Sequence, residues 1–210
     1  MDLSDEALIE SFRKTKDSGL FKSLVRRYQN RIYGAAYRML GNMEEAEEVV
    51  QETYIKVHEN LAKFRHQSSF AAWIFKIAHN VCIDLLRVKQ RRKGFHLLSF
   101  DPQSTQLEDE SGDCGGQVVS QVADSKPLPD ELIDLSEQAE VIQSSLKELP
   151  DPQRMVVVLH DIEGFSYQEV AEIVGANLGT VRSRLHYGRL KLRQLLEPYF
   201  SSSNVYPTSR

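Results

Sequence analysis

The 210 residues carry 26 Lys+Arg against 30 Asp+Glu, a formal net charge of −4, and 41% of them are hydrophobic. That is enough apolar content for one or two small packed domains; no apolar run approaches the ~20 residues a bilayer-spanning helix needs, and no charged-then-apolar leader is visible, so a cytoplasmic protein is expected. The two cysteines, Cys82 and Cys114, form no Cys-x-x-Cys pair, and Cys82 falls on an apolar helix arc, so neither zinc nor a disulfide is expected.

Taken whole, the acidic charge argues against nucleic acid, but the charge is segregated. From Leu20 to Lys93 there are 14 Lys+Arg against 7 Asp+Glu; from Gly94 to Leu135 there is 1 against 9. Basic and acidic surface therefore belong to different parts of the chain.

A short helix is predicted from Asp5 to Lys16, closed by Gly19, and a second from Leu20 to Leu40 that buries Phe21, Val25, Tyr28, Ile32, Ala36 and Met39 at helical spacing. Gly41 ends it. Asn42, with Glu45 three residues on, opens a third helix from Met43 to Leu61, whose core positions are Ala46, Val49, Val50, Thr53 and Val57. Its opposite face holds Glu44, Glu48, Gln51, Glu52, Ile55 and Glu59. Most acidic faces are merely solvated, and glutamates near a helix N-terminus are favoured by the dipole. Ile55 in their midst is what a face for a basic protein partner would add.

The polar loop Lys63-Phe64-Arg65-His66-Gln67-Ser68-Ser69 follows, and Ser68 or Ser69 can cap a long helix from Phe70 to Arg92. Phe70, Ile74, Ile77, Val81, Leu85 and Val88 form its core arc; Trp73, Lys76, Asn80, Asp84, Arg87 and Arg91 form a second stripe. An amphipathic helix needs a wet side, yet an indole, an amide and cations together suit an unpaired strand: aromatics stack on bases, amides bond base edges, and cations follow phosphates. The next segment, 94–135, is acidic and holds the Pro, Gly and Ser clusters, including Ser111-Gly112-Asp113-Cys114-Gly115-Gly116 and Pro127-Leu128-Pro129. It lacks a sustained helical or strand period and reads as a flexible linker between two domains.

The last module is a helix-turn-helix. Ser166 and Glu169 form a capping box, Gly175 stops the short helix, and Asn177 caps the next, from Leu178 to Leu196. Val181, Leu185, Gly188, Leu192 and Leu195 make its buried stripe, flanked by Arg182, His186, Arg189 and Arg193, with Ser183 and Arg184 near its start. Most basic helix faces are simply solvated in a bundle. Capped helices, a glycine turn and one-sided arginines together indicate DNA in the major groove.

Three blocks now combine. Glu45-Ala46-Glu47-Glu48-Val49-Val50-Gln51-Glu52-Thr53-Tyr54, Phe70-Ala71-Ala72-Trp73-Ile74-Phe75-Lys76-Ile77-Ala78-His79-Asn80 and Asp84-Leu85-Leu86-Arg87 strongly resemble the second conserved region of bacterial sigma factors. Leu149-Pro150-Asp151-Pro152-Gln153-Arg154, the Gly164-to-Ala171 stretch and Gly179-Thr180-Val181-Arg182-Ser183-Arg184-Leu185 resemble the fourth. With only these two regions and a linker, over roughly three-quarters of the chain, the sequence resembles the extracytoplasmic-function class of the sigma-70 family.

That resemblance implies an all-α chain of two small helical domains. Region 2 would span 1–93, the linker 94–135, region 4 with its helix-turn-helix 136–198, and a disordered tail 199–210. It implies that Glu48, Gln51, Glu52 and Ile55 dock on the polymerase β′ subunit, with Glu48 where family members usually carry Asp, and that polymerase β is contacted as well. Lys63, Phe64, Arg65, His66, Trp73, Lys76, Asn80, Arg87 and Arg91 would act on the minus-ten element, the loop capturing an unpaired base. Arg182, Ser183 and His186 would read the minus-thirty-five element, with Arg184 also binding there and Thr180 and Arg189 on phosphates; His186 lies just past the matching motif. The linker resembles the segment that threads the polymerase active-site and RNA-exit path, and family members often have an anti-sigma partner. No catalytic residue, metal or cofactor is implied. The rivals are a dimeric helix-turn-helix regulator acting without polymerase and a metal-dependent nuclease using the Glu44-to-Glu59 carboxylates. No helix is left over for self-pairing, and those carboxylates share one exposed face with no ligand converging from elsewhere.

Overall fold

A computed structural model describes residues 3–64, 68–98 and 129–202. Among the described residues the regular structure is helical. The first unit holds α1 (Asp5–Thr15), α2 (Ser18–Leu40), α3 (Met43–Asn60) and α4 (Phe70–Leu98), with a short 3₁₀ turn at Leu61–Lys63. The second holds α5 (Pro129–Lys147), α6 (Asp151–Val157), a π-type turn at Val158–Ile162, α7 (Tyr167–Val174) and α8 (Leu178–Ser202).

Local capping chemistry explains most boundaries. Asn42 Oδ1 accepts from the Glu45 N–H at 2.9 Å to start α3, and Ser69 Oγ accepts from the Ala72 N–H at 3.2 Å to start α4. Gly41 closes α2 at φ +68°. The end of α1 differs from expectation: Lys16, at φ +56°, closes it with its N–H on the Phe12 carbonyl, and Gly19 lies inside α2. The Asp17 side chain accepts from the Gly19 N–H at 2.8 Å and starts α2 two residues early.

In the first unit Ile9, Leu24, Ile32, Met39, Val49, Val57, Leu61 and Ile74 are buried from all four helices. Leu24 occupies the core where Phe21 and Val25 were expected; those two are only half-buried. Cys82 is buried, which pushes its thiol up to about 12.

The stretch read as linker is shorter at both ends. Helix α4 runs on through residues 94–98, and α5 begins at Pro129. Proline with its fixed φ is well suited to a first helical position. The rest of that stretch, 99–128, lies outside the described residues, as do Arg65, His66 and 203–210. Helix α8 runs through Pro198 to Ser202, beyond the Leu196 end expected.

The two units pack against each other, α7 on α4 and the α5–α6 region on α2. Phe165, before α7, meets Phe75 of α4 edge-on with ring centres 4.8 Å apart. The Arg31 guanidinium sits 5.2 Å from the Phe75 ring and 5.7 Å from the Phe165 ring, and its Nε donates to Glu163 Oε2 at 3.1 Å. Arg154 is 8% exposed and donates to four carbonyls: Leu146 at 2.8 Å, Lys147 at 3.0 Å, Leu149 at 2.9 Å and, across the contact, Met39 at 2.5 Å.

Candidate nucleic-acid interface

Helix α4 has two working sides. Ile74, Phe75, Ala78, Val81 and Cys82 face cores, while Lys76, Asn80, Arg87 and Arg91 stay exposed and Trp73 is half-buried. At the head of this stripe lies an open pocket of ≈ 290 Å³ lined by Lys56 and Asn60 of α3, Lys63, and Trp73, Ile77 and Asn80 of α4. Three residues singled out from sequence, Lys63, Trp73 and Asn80, thus converge on one cavity. Its volume is near the lower end for small-ligand sites, and its lining combines an indole face, two amides and two ammonium groups.

Phe64 does not belong to that exposed set. It is 5% exposed, its ring 5.1 Å from Trp73 and 5.7 Å from Phe70. The expectation of an exposed aromatic in the loop is corrected: Phe64 props the indole from behind, because an apolar ring beside Phe70 and Trp73 loses more water by packing than by facing solvent. Arg13 of α1 anchors the loop start, donating to the Leu61 carbonyl at 3.1 Å and to that of Phe64. Nothing local marked Arg13, Lys56 or Asn60 for this site: Arg13 is 48 residues from its Leu61 acceptor, and Lys56 and Asn60 join the pocket only where α3 meets α4. Lower on the stripe, Arg87 pairs with Asp84 at 3.3 Å, both well exposed.

The acidic face of α3 is presented outward. Glu48 and Gln51 are exposed, Glu52 is half-buried, and Ile55 is 54% exposed, an isolated apolar group among carboxylates. Glu52 Oε1 holds Lys56 Nζ at 2.7 Å.

The helix-turn-helix forms as its sequence requires. Ser166 Oγ accepts from the Glu169 N–H at 3.3 Å, and Glu169 Oε2 accepts from the Ser166 N–H at 3.0 Å. Gly175 turns the chain at φ +64°, and Asn177 Oδ1 accepts from the Thr180 N–H at 2.8 Å to start α8. Val181 and Leu185 are buried, which turns Arg182, Ser183 and His186 to solvent. Thr180 and Arg184 are half-buried. Arg189 is engaged within the unit: its Nε donates to Asp161 Oδ2 at 3.0 Å and an Nη to Oδ1.

Contacts between the units touch both surfaces. Ser69 Oγ, which caps α4 beside the pocket loop, donates to Glu169 Oε1 at 3.1 Å. His79 of α4 is pushed down to about 4, first by burial and then by Arg184 and Arg87, and its Nδ1 is buried without a hydrogen-bond partner among the described residues.

Comparison with known proteins places both units in one family. Residues 24–92 match Sigma-70 region 2 and residues 139–192 match Sigma-70 region 4. The chain is 33% identical over 183 residues to the ECF RNA polymerase sigma factor SigW of Bacillus subtilis, covering 87% of this chain and 92% of that one. It is 30% identical over 196 residues to the ECF RNA polymerase sigma-E factor of Escherichia coli K12, covering 93% and 96%. Among solved structures, the complex of RpoE with the anti-sigma factor NepR from Bartonella quintana matches in fold with a TM-score of 0.60 at 24% identity, covering 84% of this chain and 96% of the other. CnrH in complex with the cytosolic domain of CnrY matches with a TM-score of 0.62 at 23% identity, covering 92% and 97%.

Proposed function

Because this chain belongs to the extracytoplasmic-function (ECF) sigma factors of RNA polymerase, we propose that its pocket and its two exposed helix faces divide promoter recognition between them. A sigma factor is a transcription initiation factor: it binds core RNA polymerase and directs it to promoter DNA. The pocket carries the finer reading. Trp73, Asn80 and Lys63 meet in one open pocket of ≈ 290 Å³, at the head of a cationic stripe. An unpaired base stacked on Trp73 and bonded by Asn80, with its strand running toward Arg87 and Arg91, is bound only when the duplex is open. Binding one state in preference to another shifts the equilibrium toward it by the differential affinity, so promoter opening needs no catalytic group, and we read the protein as a non-enzyme.

In the same reading Glu48, Gln51, Glu52 and Ile55 dock on polymerase β′, whose contact should be basic, and β is contacted elsewhere. Arg182, Ser183 and His186 read the minus-thirty-five element, with Thr180, Arg184 and Arg189 at its edges. Phe64 serves as the support of Trp73. Region 2 comprises the first unit, region 4 the second, and both work in the cytoplasm; among the described residues no helix is long and apolar enough to cross a membrane. An anti-sigma partner belongs to the same reading, since the matched RpoE structure is a complex with the anti-sigma factor NepR.

In this reading the two DNA surfaces sit on separate units, which residues 99–128 join. Elements centred about 25 base pairs apart lie roughly 85 Å apart at ~3.4 Å per pair. The residues 99–128 between α4 and α5 reach at most about 100 Å when fully extended, enough for that span. The decisive test is open-complex formation by holoenzyme carrying Asn80→Ala. It should be impaired on a closed promoter and substantially restored on a template with a premelted minus-ten bubble; full activity on the closed promoter would remove the pocket from the mechanism.

A further inference from the structure

The strongly charged groups around the pocket are not all accounted for by base capture. Lys56 projects from α3 to the pocket mouth beside Lys63, Trp73 and Asn80, yet it is also the ion-pair partner of Glu52 at 2.7 Å, on the face assigned to polymerase docking. One residue pair thus joins two surfaces that have separate partners. Glu59 and Asp84 also lie within electrostatic reach of Lys56, but Glu52 is its hydrogen-bonded partner, and Asp84 is taken up by Arg87 at 3.3 Å. At the end of α3 the Asn60 amide is pinned on the Lys56 carbonyl at 2.9 Å, which holds that wall of the pocket to the same helical turn.

We propose that Lys56 is a phosphate-binding residue for the captured single strand, held in reserve by Glu52 and released when a basic polymerase surface takes over that carboxylate. The inference rests on the pocket being the single-strand site. An exposed i,i+4 pair suits such an exchange because it is weak, so a competing cation on Glu52 displaces Lys56 without disturbing α3. Docking on core and grip on the melted strand are then linked through adjacent turns of one helix, and the ammonium group becomes available where an unpaired strand passes.

The experiment is a double-substitution cycle in the free full-length chain, binding a fluorescein-labelled single-stranded DNA of twelve nucleotides and mixed sequence across a salt series. Glu52→Gln mimics loss of the carboxylate and should tighten binding. The gain should be about twofold, the most that a weak exposed i,i+4 pair can withhold, and it should shrink as salt screens the pair. In the Glu52→Gln background, Lys56→Gln should abolish that gain while Lys56→Arg keeps it, and Lys56→Gln should cost more binding there than in the wild-type background. An equal gain from Glu52→Gln with and without Lys56 would mean a general charge effect and overturn the proposal, as would no gain at all. Asn80→Ala in the same assay separates the two levels: its failure to weaken binding counts against the pocket as strand site, whereas a loss there with no Glu52–Lys56 coupling sinks the exchange alone. Far-ultraviolet circular dichroism of each variant checks that the overall helical content is unchanged.

Discussion

Replacing Arg154 by Met keeps a similar flexible stem and deletes the guanidinium fork. Three of its four carbonyl acceptors, Leu146, Lys147 and Leu149, lie at the end of α5 and in the turn into α6, where helix geometry leaves carbonyls without partners; the fourth, Met39, belongs to α2 of the other unit. Each bond to a charged donor is worth about 1.5–3 kcal/mol, but the four share one side chain, so their sum overstates the loss. Each buried carbonyl left without a donor costs about 1–3 kcal/mol, and with part of that recovered by relaxation and by the desolvation that lowers the Arg154 pKa, a net loss of about 3–5 kcal/mol is expected. At about 2–4 °C per kcal/mol for a chain of this size, the melting temperature should fall by roughly 6–20 °C. Differential scanning calorimetry of the full chain measures this. Arg154→Lys should recover only a minor part, because one ammonium cannot reach carbonyls spread around a planar fork. A drop below about 2 °C for the Met variant would mean that these carbonyls find other donors, and the argument from the fork would fail.

Further outcomes follow from the same geometry. A Cβ at Gly188 would lie 2.9 Å from Val157 Cγ2 and 3.4 Å from Leu149 Cδ2, both on buried side chains, so Gly188→Ala should lose about 1–3 kcal/mol to overpacking, only partly offset by ~1 kcal/mol of helix propensity; urea titration would show it, and an unchanged or higher midpoint would contradict the close approach of α6 and α8. His79 is depressed from 6.5 to about 4, so its neutral form contributes stability that is complete above pH 6.5 and lost as pH falls from there to about 4, some 3 kcal/mol in all; His79→Gln should flatten that part of the pH–stability curve, and an identical curve would show that His79 is not the titrating group. Asp161→Asn should free Arg189 for a duplex phosphate, steepening the salt slope of promoter binding by about 0.9 on every sequence, while Arg182→Ala should cost about 1–3 kcal/mol and relax preference at one base of the minus-thirty-five element. Holoenzyme binding to single-base promoter variants separates the two, and a changed ranking with Asp161→Asn would reverse the assigned roles.

The features readable in the sequence are those set by neighbours three or four residues apart. The Ser166–Glu169 capping box, the Asn42 and Asn177 caps and the Gly41 and Gly175 stops each depend on bonds within one turn, so they stand as expected. The Val181–Leu185 stripe is equally local: with those two in the core, Arg182 and His186 must face outward. Short range also has its failures. Lys16 ends α1 although glycine is the commoner choice, and Pro129 opens a helix where its company of Pro and Ser read as linker.

Other features were decided by packing between segments far apart in the chain. Phe64 looked like a loop aromatic until Phe70 and Trp73 enclosed it, and burial of three rings together outweighs the exposure its polar neighbours implied. The pocket needed the end of α3 to lie against the start of α4, and only that contact drew Lys56 and Asn60 to Asn80. No periodicity could announce that Arg31 would stack on Phe75 and Phe165, or that Arg154 would reach the carbonyl of Met39, 115 residues earlier. Helices and their faces follow from hydrogen bonds and hydrophobic spacing within a few turns. Which faces meet depends on burying apolar area and satisfying polar groups across the whole chain at once, and that free energy exists only in the assembled fold.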